Sequence, residues 1–420
     1  MMEPQRTALN LAGESPPRKP KEAVILSGGG ANGAYEVGIL KALFSGKIKS
    51  IAPPDPLFFF GTSIGSYNAS FLVSQWDEFG VSAIGNLERT WIEVLSGDAG
   101  HNGLYRFRGD PAYFFNPASY LPNPLGPLRA ITEDAASLTW QGIQRAVYLA
   151  TGRGETLRER LANLFDFTAF ITVDPWGQTI RDTINFAAIR RCDTRRLRIF
   201  AVNWNTGDLR IFRNHDMTEN LGPLAVLASS AIPGVLPPVN VGAEPYVDGG
   251  VLMNTPLRPA LDEGVDVIHV VYLDPDIASI PNSVLNSTLA ANYRLQTISW
   301  ASLVNREIAR ARRINRGLEI FGRLQRGESL GQPELERLAS GAVMVLGGRH
   351  LQMYRPVTIH RYHPGEELSG GALGLLNFDR DHIGNLIDIG FTDATLHDCR
   401  KECCVIPGQD YPECADDERS

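Results

Sequence analysis

The chain has 420 residues, a formal net charge of −7 and 43% hydrophobic side chains, ample apolar material for a large core. The acidic balance argues against general nucleic-acid binding, and the lack of any apolar run of about 18 residues argues against a membrane-spanning helix. Residues 1–21 are polar and Pro-rich with no apolar stretch, which predicts a disordered tail, no secretory signal and a cytoplasmic location.

In chain order, Ala23-Val24-Ile25-Leu26 is an apolar run of strand length. It leads at once into Ser27-Gly28-Gly29-Gly30-Ala31-Asn32-Gly33, and a helical pattern runs from Ala34 to about Phe44. A glycine-rich loop between a strand and a helix N-terminus gathers backbone N–H groups toward one point, which suits an anion. Two uses compete. Gly28, Gly30 and Gly33 satisfy the G-x-G-x-x-G spacing of a dinucleotide loop. The same N–H groups would equally serve an oxyanion. A dinucleotide site expects an acidic residue at the end of the second strand. That strand, Leu57-Phe58-Phe59-Phe60, ends instead in Gly61-Thr62-Ser63-Ile64-Gly65, and Asp55 precedes it. The oxyanion reading is therefore preferred.

Strand, Gly-x-Ser-x-Gly and a helical stretch from Ser66 to Trp76 together make a nucleophile elbow with Ser63 at its tip. A further helix is expected over Ser82 to Ser96, with Leu87, Trp91, Ile92 and Leu95 facing a core. Residues 101–195 form an insertion rich in Pro and aromatics (Tyr105, Phe107, Tyr113, Phe114, Phe115, Tyr120, Trp140, Tyr148). It suits a lid or acyl-chain wall, or a small core of its own. Leu197–Val202 and Leu209–Phe212 read as paired strands around Asn205-Thr206-Gly207-Asp208. Pro245-Tyr246-Val247-Asp248-Gly249-Gly250 places a carboxylate at a strand end, where sites of open α/β sheets gather; taken alone, Asp248 reads better as a turn residue. Val265–Leu273 is a core strand, Ala290–Gln325 a helix, Val357–Arg361 a late strand and Arg380–Ile389 a last helix. Strands alternating with helices predict an α/β layered sheet.

Together, Gly28-Gly29-Gly30-Ala31-Asn32-Gly33, Gly61-Thr62-Ser63-Ile64-Gly65 and Asp248-Gly249-Gly250 resemble the patatin-like phospholipases in residues, order and spacing. The stretch Ala228 to Pro238 adds to the likeness, which spans residues 22–275 and is looser to 395. The resemblance implies a layered, mostly parallel sheet with flanking helices, a variant of the α/β-hydrolase architecture. Residues 22–275 are then the catalytic domain, 276–395 a helical part packed on it and 396–420 a Cys-containing tail. It also implies a lipid acyl hydrolase with a Ser63–Asp248 dyad, no catalytic histidine and no cofactor. Gly28, Gly29, Gly30 and Ala31 form the oxyanion hole in this reading; Asn32, Gly33, Gly61, Gly65, Gly249 and Gly250 support it. The family usually carries Arg or Lys where this chain has Asn32.

The chemistry also follows from the residues. A serine hydroxyl needs a neighbour to take its proton. A carboxylate in water, with a pKa of about 3.9, is a weak base for that task, and burial would strengthen it. His269, His360, His363 and His382 all follow Asp248, so a Ser-Asp-His triad is an alternative by order. None has a distinctive loop context, and the elbow comes after only one strand, which favours the dyad. A lipid-binding protein without turnover is the non-enzymatic alternative. The expected partner is a lipid or phospholipid, met in transient contact with a membrane surface. Two basic patches bear on that contact: Arg190, Arg191, Arg195, Arg196 and Arg198, and the seven arginines from Arg306 to Arg326. On the second, Ile308, Ala311, Ile314, Leu318 and Phe321 recur at helical spacing, as in a core-packing helix with a solvated basic face. Of five cysteines, Cys192 stands alone and Cys399, Cys403, Cys404 and Cys414 crowd the C-terminus. Cys-x3-Cys-Cys is no standard zinc spacing, so ordinary or redox-active thiols are expected and no metal site.

Overall fold

The computed structural model describes residues 18–97, 101–107, 171–172, 174–233, 236–273, 288–329, 331, 355–368 and 371–409. Expectations for the N-terminal tail up to residue 17, for the aromatics Tyr113 to Tyr148 and for Cys414 fall outside the described residues.

The N-terminal elements are β1 (Glu22–Leu26), α1 (Gly33–Phe44), β2 (Phe58–Thr62), α2 (Ile64–Phe79) and α3 (Ala83–Thr90). The expected single helix to Ser96 widens into a π-helical turn over Trp91–Leu95. Short β3 (Arg106–Phe107) and β4 (Ile171–Thr172) pair with each other apart from the main sheet. Then come α4 (Asp174–Thr183), α5 (Phe186–Arg191), β5 (Arg196–Asn203), β6 (Leu209–Arg213) and α6 (Leu221–Ser229). They are followed by β7 (Val239–Val241), β8 (Glu244–Asp248), α7 (Gly250–Met253), α8 (Leu257–Asp262) and β9 (Val267–Val271). The last elements are α9 (Thr288–Gln325), β10 (Thr358–Tyr362) and α10 (Arg380–Thr395).

The main sheet has the order β10-β9-β1-β2-β5-β8-β7, with β6 also on β5. The run from β10 to β5 is parallel; β6, β7 and β8 join antiparallel. Strands buried on both faces carry near-continuous apolar runs, which is why Phe58-Phe59-Phe60 and Val267-Ile268-His269-Val270-Val271 were legible as strands. Alternate residues still serve opposite faces. Val24, Leu26 and Phe59 pack with α1, α2 and α10, while Ala23, Ile25, Phe58 and Phe60 pack with Leu257 of α8 and Val304, Ile308 and Ala311 of α9. The result is a three-layer α/β architecture, as expected. Ile320 takes the buried position on α9 and Phe321 is 48% exposed, a small shift from the expected stripe. In the other basic cluster, Arg195 pairs with Asp55, and Arg198 pairs with Glu263 at 2.6 Å.

The order of the strands explains where the site falls. From β1 the chain proceeds to β2 on one side and later returns through β9 on the other. Such a reversal opens a crevice at the C-terminal strand ends. The glycine loop after β1 and the serine after β2 both lie there. β5 adds a second device. Its residues Arg196–Phe200 pair with β2, Ala201–Asn203 pair with β8, and β6 covers Arg198–Val202. The overlaps require β2 and β8 to share one edge of β5, end to end. Thr62 faces Phe200 and Asp248 faces Ala201, so the two strand ends meet on successive residues.

α10 continues past the expected stop near Ile389 because Gly390 is a contact residue there and not a cap. A Cβ on Gly390 would lie 2.2 Å from the Tyr35 carbonyl oxygen, and one on Gly38 of α1 would lie 2.0 Å from that of Ile387. The two helices touch backbone to backbone. Gly38→Ala is expected to cost about 1–3 kcal/mol through overpacking, measured as a lower denaturant midpoint with an unchanged slope. A midpoint equal to that of the parent chain would contradict this packing. The C-terminal residues also differ from a free tail. Ile359 and Val405 exchange backbone hydrogen bonds of 2.8 and 2.9 Å, and Cys403 is disulfide-bonded, so it is not one of the expected thiols.

Candidate active site

β2 ends at Thr62 and the chain reverses into α2 through Ser63, which holds φ 54° and ψ −127°. A residue with a Cβ adopts such a conformation only when its surroundings compel it. Here the compulsion is crowding. A Cβ on Gly61 would meet the Gly65 carbonyl oxygen at 2.3 Å, and one on Gly65 would meet that of Leu26 at 2.4 Å. The Ser63 N–H donates to Ser229 Oγ at 3.0 Å, and the Ser63 carbonyl accepts from the Ser66 N–H at 2.9 Å. The hydroxyl is thereby fixed at the N-terminus of α2.

Asp248 arrives at the end of β8. Its Oδ1 accepts the Gly250 N–H at 2.7 Å, and the Ser63 hydroxyl is near enough to the carboxylate to pull on its proton affinity. Asp248 is only 5% exposed. Burial pushes its pKa up to about 7, against the opposing pull of the hydrogen bonds from Ser63 and the Gly250 N–H. Gly249 lets this turn press on β5: a Cβ there would sit 2.4 Å from the Phe200 carbonyl oxygen.

The glycine loop closes the arrangement. Asn254 grips Gly28, donating from Nδ2 to its carbonyl at 3.0 Å and accepting its N–H at Oδ1 at 3.1 Å. This removes the Gly28 N–H from the expected oxyanion donors. Gly28 matters for closeness, since a Cβ would lie 2.8 Å from Ser63 Cβ. Gly30 has φ +57° and stands against Leu375, and Gly29 stands against Leu273. Ala31 and Asn32 are buried, the Asn32 N–H bonding the Gly29 carbonyl at 3.1 Å. Gly33 abuts Ile64, and Gly250 lies beside the Asn254 amide.

Ser63 opens into a small, mostly apolar cleft whose walls include Leu104, Trp176, Ile232, Leu236, Leu375 and Phe378. These come from both ends of the insertion, from the segment before β7 and from the C-terminal part. None of the four triad histidines lines this cleft. His269 and His360 stack at 5.1 Å within β9 and β10, and His363 Nε2 pairs with Glu402 at 2.7 Å. His382 sits in the first turn of α10. Among the described residues, the groups acting on the Asp248 carboxyl are the Ser63 hydroxyl and the Gly250 N–H, and no histidine is one of them.

Three positioning residues were not singled out from the sequence: Asn254, Ser229, and Trp300, whose Nε1 donates to the Gly250 carbonyl. The one available signal was the polar pair Asn254-Thr255 after an apolar turn. Thr255 Oγ1 lies 2.8 Å from Ser27 Oγ, so the pair holds the loop at two points.

An elbow serine beside a buried carboxylate at the open end of an α/β sheet is an arrangement suited to serine-based acyl transfer. The chain belongs to the patatin-like phospholipase family, whose model matches residues 24–261. Membership supports hydrolysis of lipid ester bonds in general. No curated protein matches the chain. Among solved structures it is similar to VipD from Legionella pneumophila, at 16% identity and a TM-score of 0.33, over 90% of this chain and 66% of that one. It thus spans just under two-thirds of the length of that protein. No helix among the described residues is long and apolar enough to cross a membrane.

Proposed function

We propose that the chain is a phospholipase A or lysophospholipase-type hydrolase working through an acyl-enzyme on Ser63. The observation that carries this reading is the meeting of the two strand ends on successive residues of β5, Thr62 opposite Phe200 and Asp248 opposite Ala201, which brings Ser63 to a buried carboxyl whose pKa burial raises to about 7. Such a carboxylate is a competent base for a hydroxyl at neutral pH, and no histidine is needed between them. Ser63 attacks the ester carbonyl as its proton passes to Asp248. The oxyanion that forms lies against the N–H groups of Gly29, Gly30 and Ala31, joined by that of Ile64. Each such donor is typically worth about 2.7–4 kcal/mol in the transition state. Asp248 returns the proton to the departing alcohol, water then attacks the acyl-serine with Asp248 again as base, and the fatty acid leaves.

The apolar lining of the cleft favours an acyl chain as the group bound, at about 0.8 kcal/mol per buried methylene. Substrate is met in transient contact with a lipid surface, and the steps balance without a metal or organic cofactor. Purified chain should react covalently with a fluorophosphonate probe, and Ser63→Ala should abolish the label. The same preparation, offered phospholipids, lysophospholipids, triacylglycerols and short nitrophenyl esters, should release fatty acid from the lipid esters. No labelling together with no release from any of these would leave a binding protein in place of the enzyme.

A further inference from the structure

A second convergence of reactive side chains lies at the β10 edge of the sheet, beyond the residues that match the family model. His360 comes from β10, His397 from just past α10, and Cys399 and Cys404 from the segment that follows. One ligand atom of each lies within 4.8 Å of all the others. Cys399 Sγ is 3.5 Å from His360 Nδ1 and 3.4 Å from His397 Nε2, and Cys404 Sγ is 3.6 Å from His397 Nε2. Lone-pair donors gathered in this way need either shared protons or a positive centre between them. A tetrahedral ion with metal–sulfur bonds of about 2.3 Å and metal–nitrogen bonds of about 2.05 Å requires sulfur–nitrogen edges of about 3.6 Å. The three measured edges match that figure.

We propose that His360, His397, Cys399 and Cys404 bind one Zn2+ in a closed structural site. A two-nitrogen, two-sulfur tetrahedron selects zinc among the common divalent ions. Four protein ligands leave no position for water, which makes the site structural. The surroundings fit a thiolate centre. The Arg361 N–H donates to Cys404 Sγ at 3.3 Å, the His360 ring stacks on His269, and the His397 ring lies 4.7 Å from that of Tyr362. Cys404 is buried and the other three are half-buried, so the ion is shielded yet reachable. Cys403 is disulfide-bonded and takes no part. The metal clips the segment after α10 onto β10, beside the Ile359–Val405 bridge.

The test uses the full chain, expressed with zinc and purified under mild reduction. Mass-spectrometric metal analysis should find one zinc per chain in the parent protein and in Cys192→Ser, a distant buried cysteine. Cys399→Ser and His397→Gln should fall to background. Should those variants fail to fold, the parent protein still decides the matter. Stripped of zinc and titrated with cobalt, it should take up one equivalent and develop the d–d and thiolate charge-transfer bands of a tetrahedral site. Background zinc after loading with no such bands, or zinc retained undiminished in both ligand variants, would overturn the proposal. So would a Cys399–Cys404 disulfide in freshly isolated protein. Ester hydrolysis is not among the readouts, so the outcome is independent of the function proposed for Ser63.

Discussion

Asp248→Asn is expected to lower kcat/KM for lipid ester hydrolysis by on the order of 10⁴-fold or more while making the fold more stable. Both effects have one cause. Asp248 is buried, and burial raises its pKa to about 7. Unfolded, the same carboxyl has a pKa of about 3.9. The folded state therefore holds the proton more tightly than the unfolded state does. The stability this confers is complete below about pH 4 and is lost progressively as pH rises to about 7. Above that range the ionised, buried carboxylate costs the fold up to roughly 4 kcal/mol, an upper bound from the difference in pKa. Asparagine cannot ionise and can still accept the Gly250 N–H. The melting-temperature difference between variant and parent should widen across this window and then flatten.

Activity of the parent enzyme should move the opposite way. The base must be ionised, so kcat/KM rises with pH along a one-proton limb centred near 7 and then levels off. Below that limb the contribution of Asp248 to stability is greatest and turnover is slowest. An acid limb centred near 4, or near-parental turnover in Asp248→Asn, would remove Asp248 from the proposed dyad.

Gly30→Ala should lower kcat by roughly 10²–10³-fold, the typical effect of losing one oxyanion donor. Gly30 holds φ +57°, and a Cβ there would come within 2.3 Å of the Leu375 carbonyl oxygen. Backbone does not yield cheaply at such a distance, so the loop must turn and re-aim its N–H groups. The reaction with a fluorophosphonate should slow in parallel, because its tetrahedral adduct uses the same donors. A cooperative thermal transition in the variant would show that the loss is local. Unchanged kcat in a folded variant would mean that the oxyanion is held elsewhere.

The sequence was most transparent where the geometry tolerates few alternatives. Gly61 and Gly65 flank Ser63 because backbone passes within 2.4 Å of where their Cβ atoms would be, so the motif is written in consecutive residues. The parallel strands were legible as apolar runs because both of their faces are covered. What could not be read is what depends on residues meeting across the fold. Asn254 grips Gly28, Ser229 receives the Ser63 N–H and Trp300 braces Gly250, yet each is an ordinary residue in its own segment. The proposed zinc ligands escaped for a similar reason. One half is a short run, His397-x-Cys399-x4-Cys404, and the other is a histidine in the middle of a strand. The last helix, expected over Arg380–Ile389, runs on to Thr395 because Gly390 packs directly on the backbone of α1, a contact invisible in the local sequence.

The seating of β2 and β8 along one edge of β5 has an evolutionary and an engineering corollary. Phe200 and Ala201 gauge the separation of serine and aspartate, so the insertion over residues 101–195, which precedes β5, can change length without disturbing the spacing of the pair. Parity along β8 has no such latitude. A shift of one residue would carry Asp248 to the opposite face of the sheet and leave Ser63 without its neighbouring carboxylate.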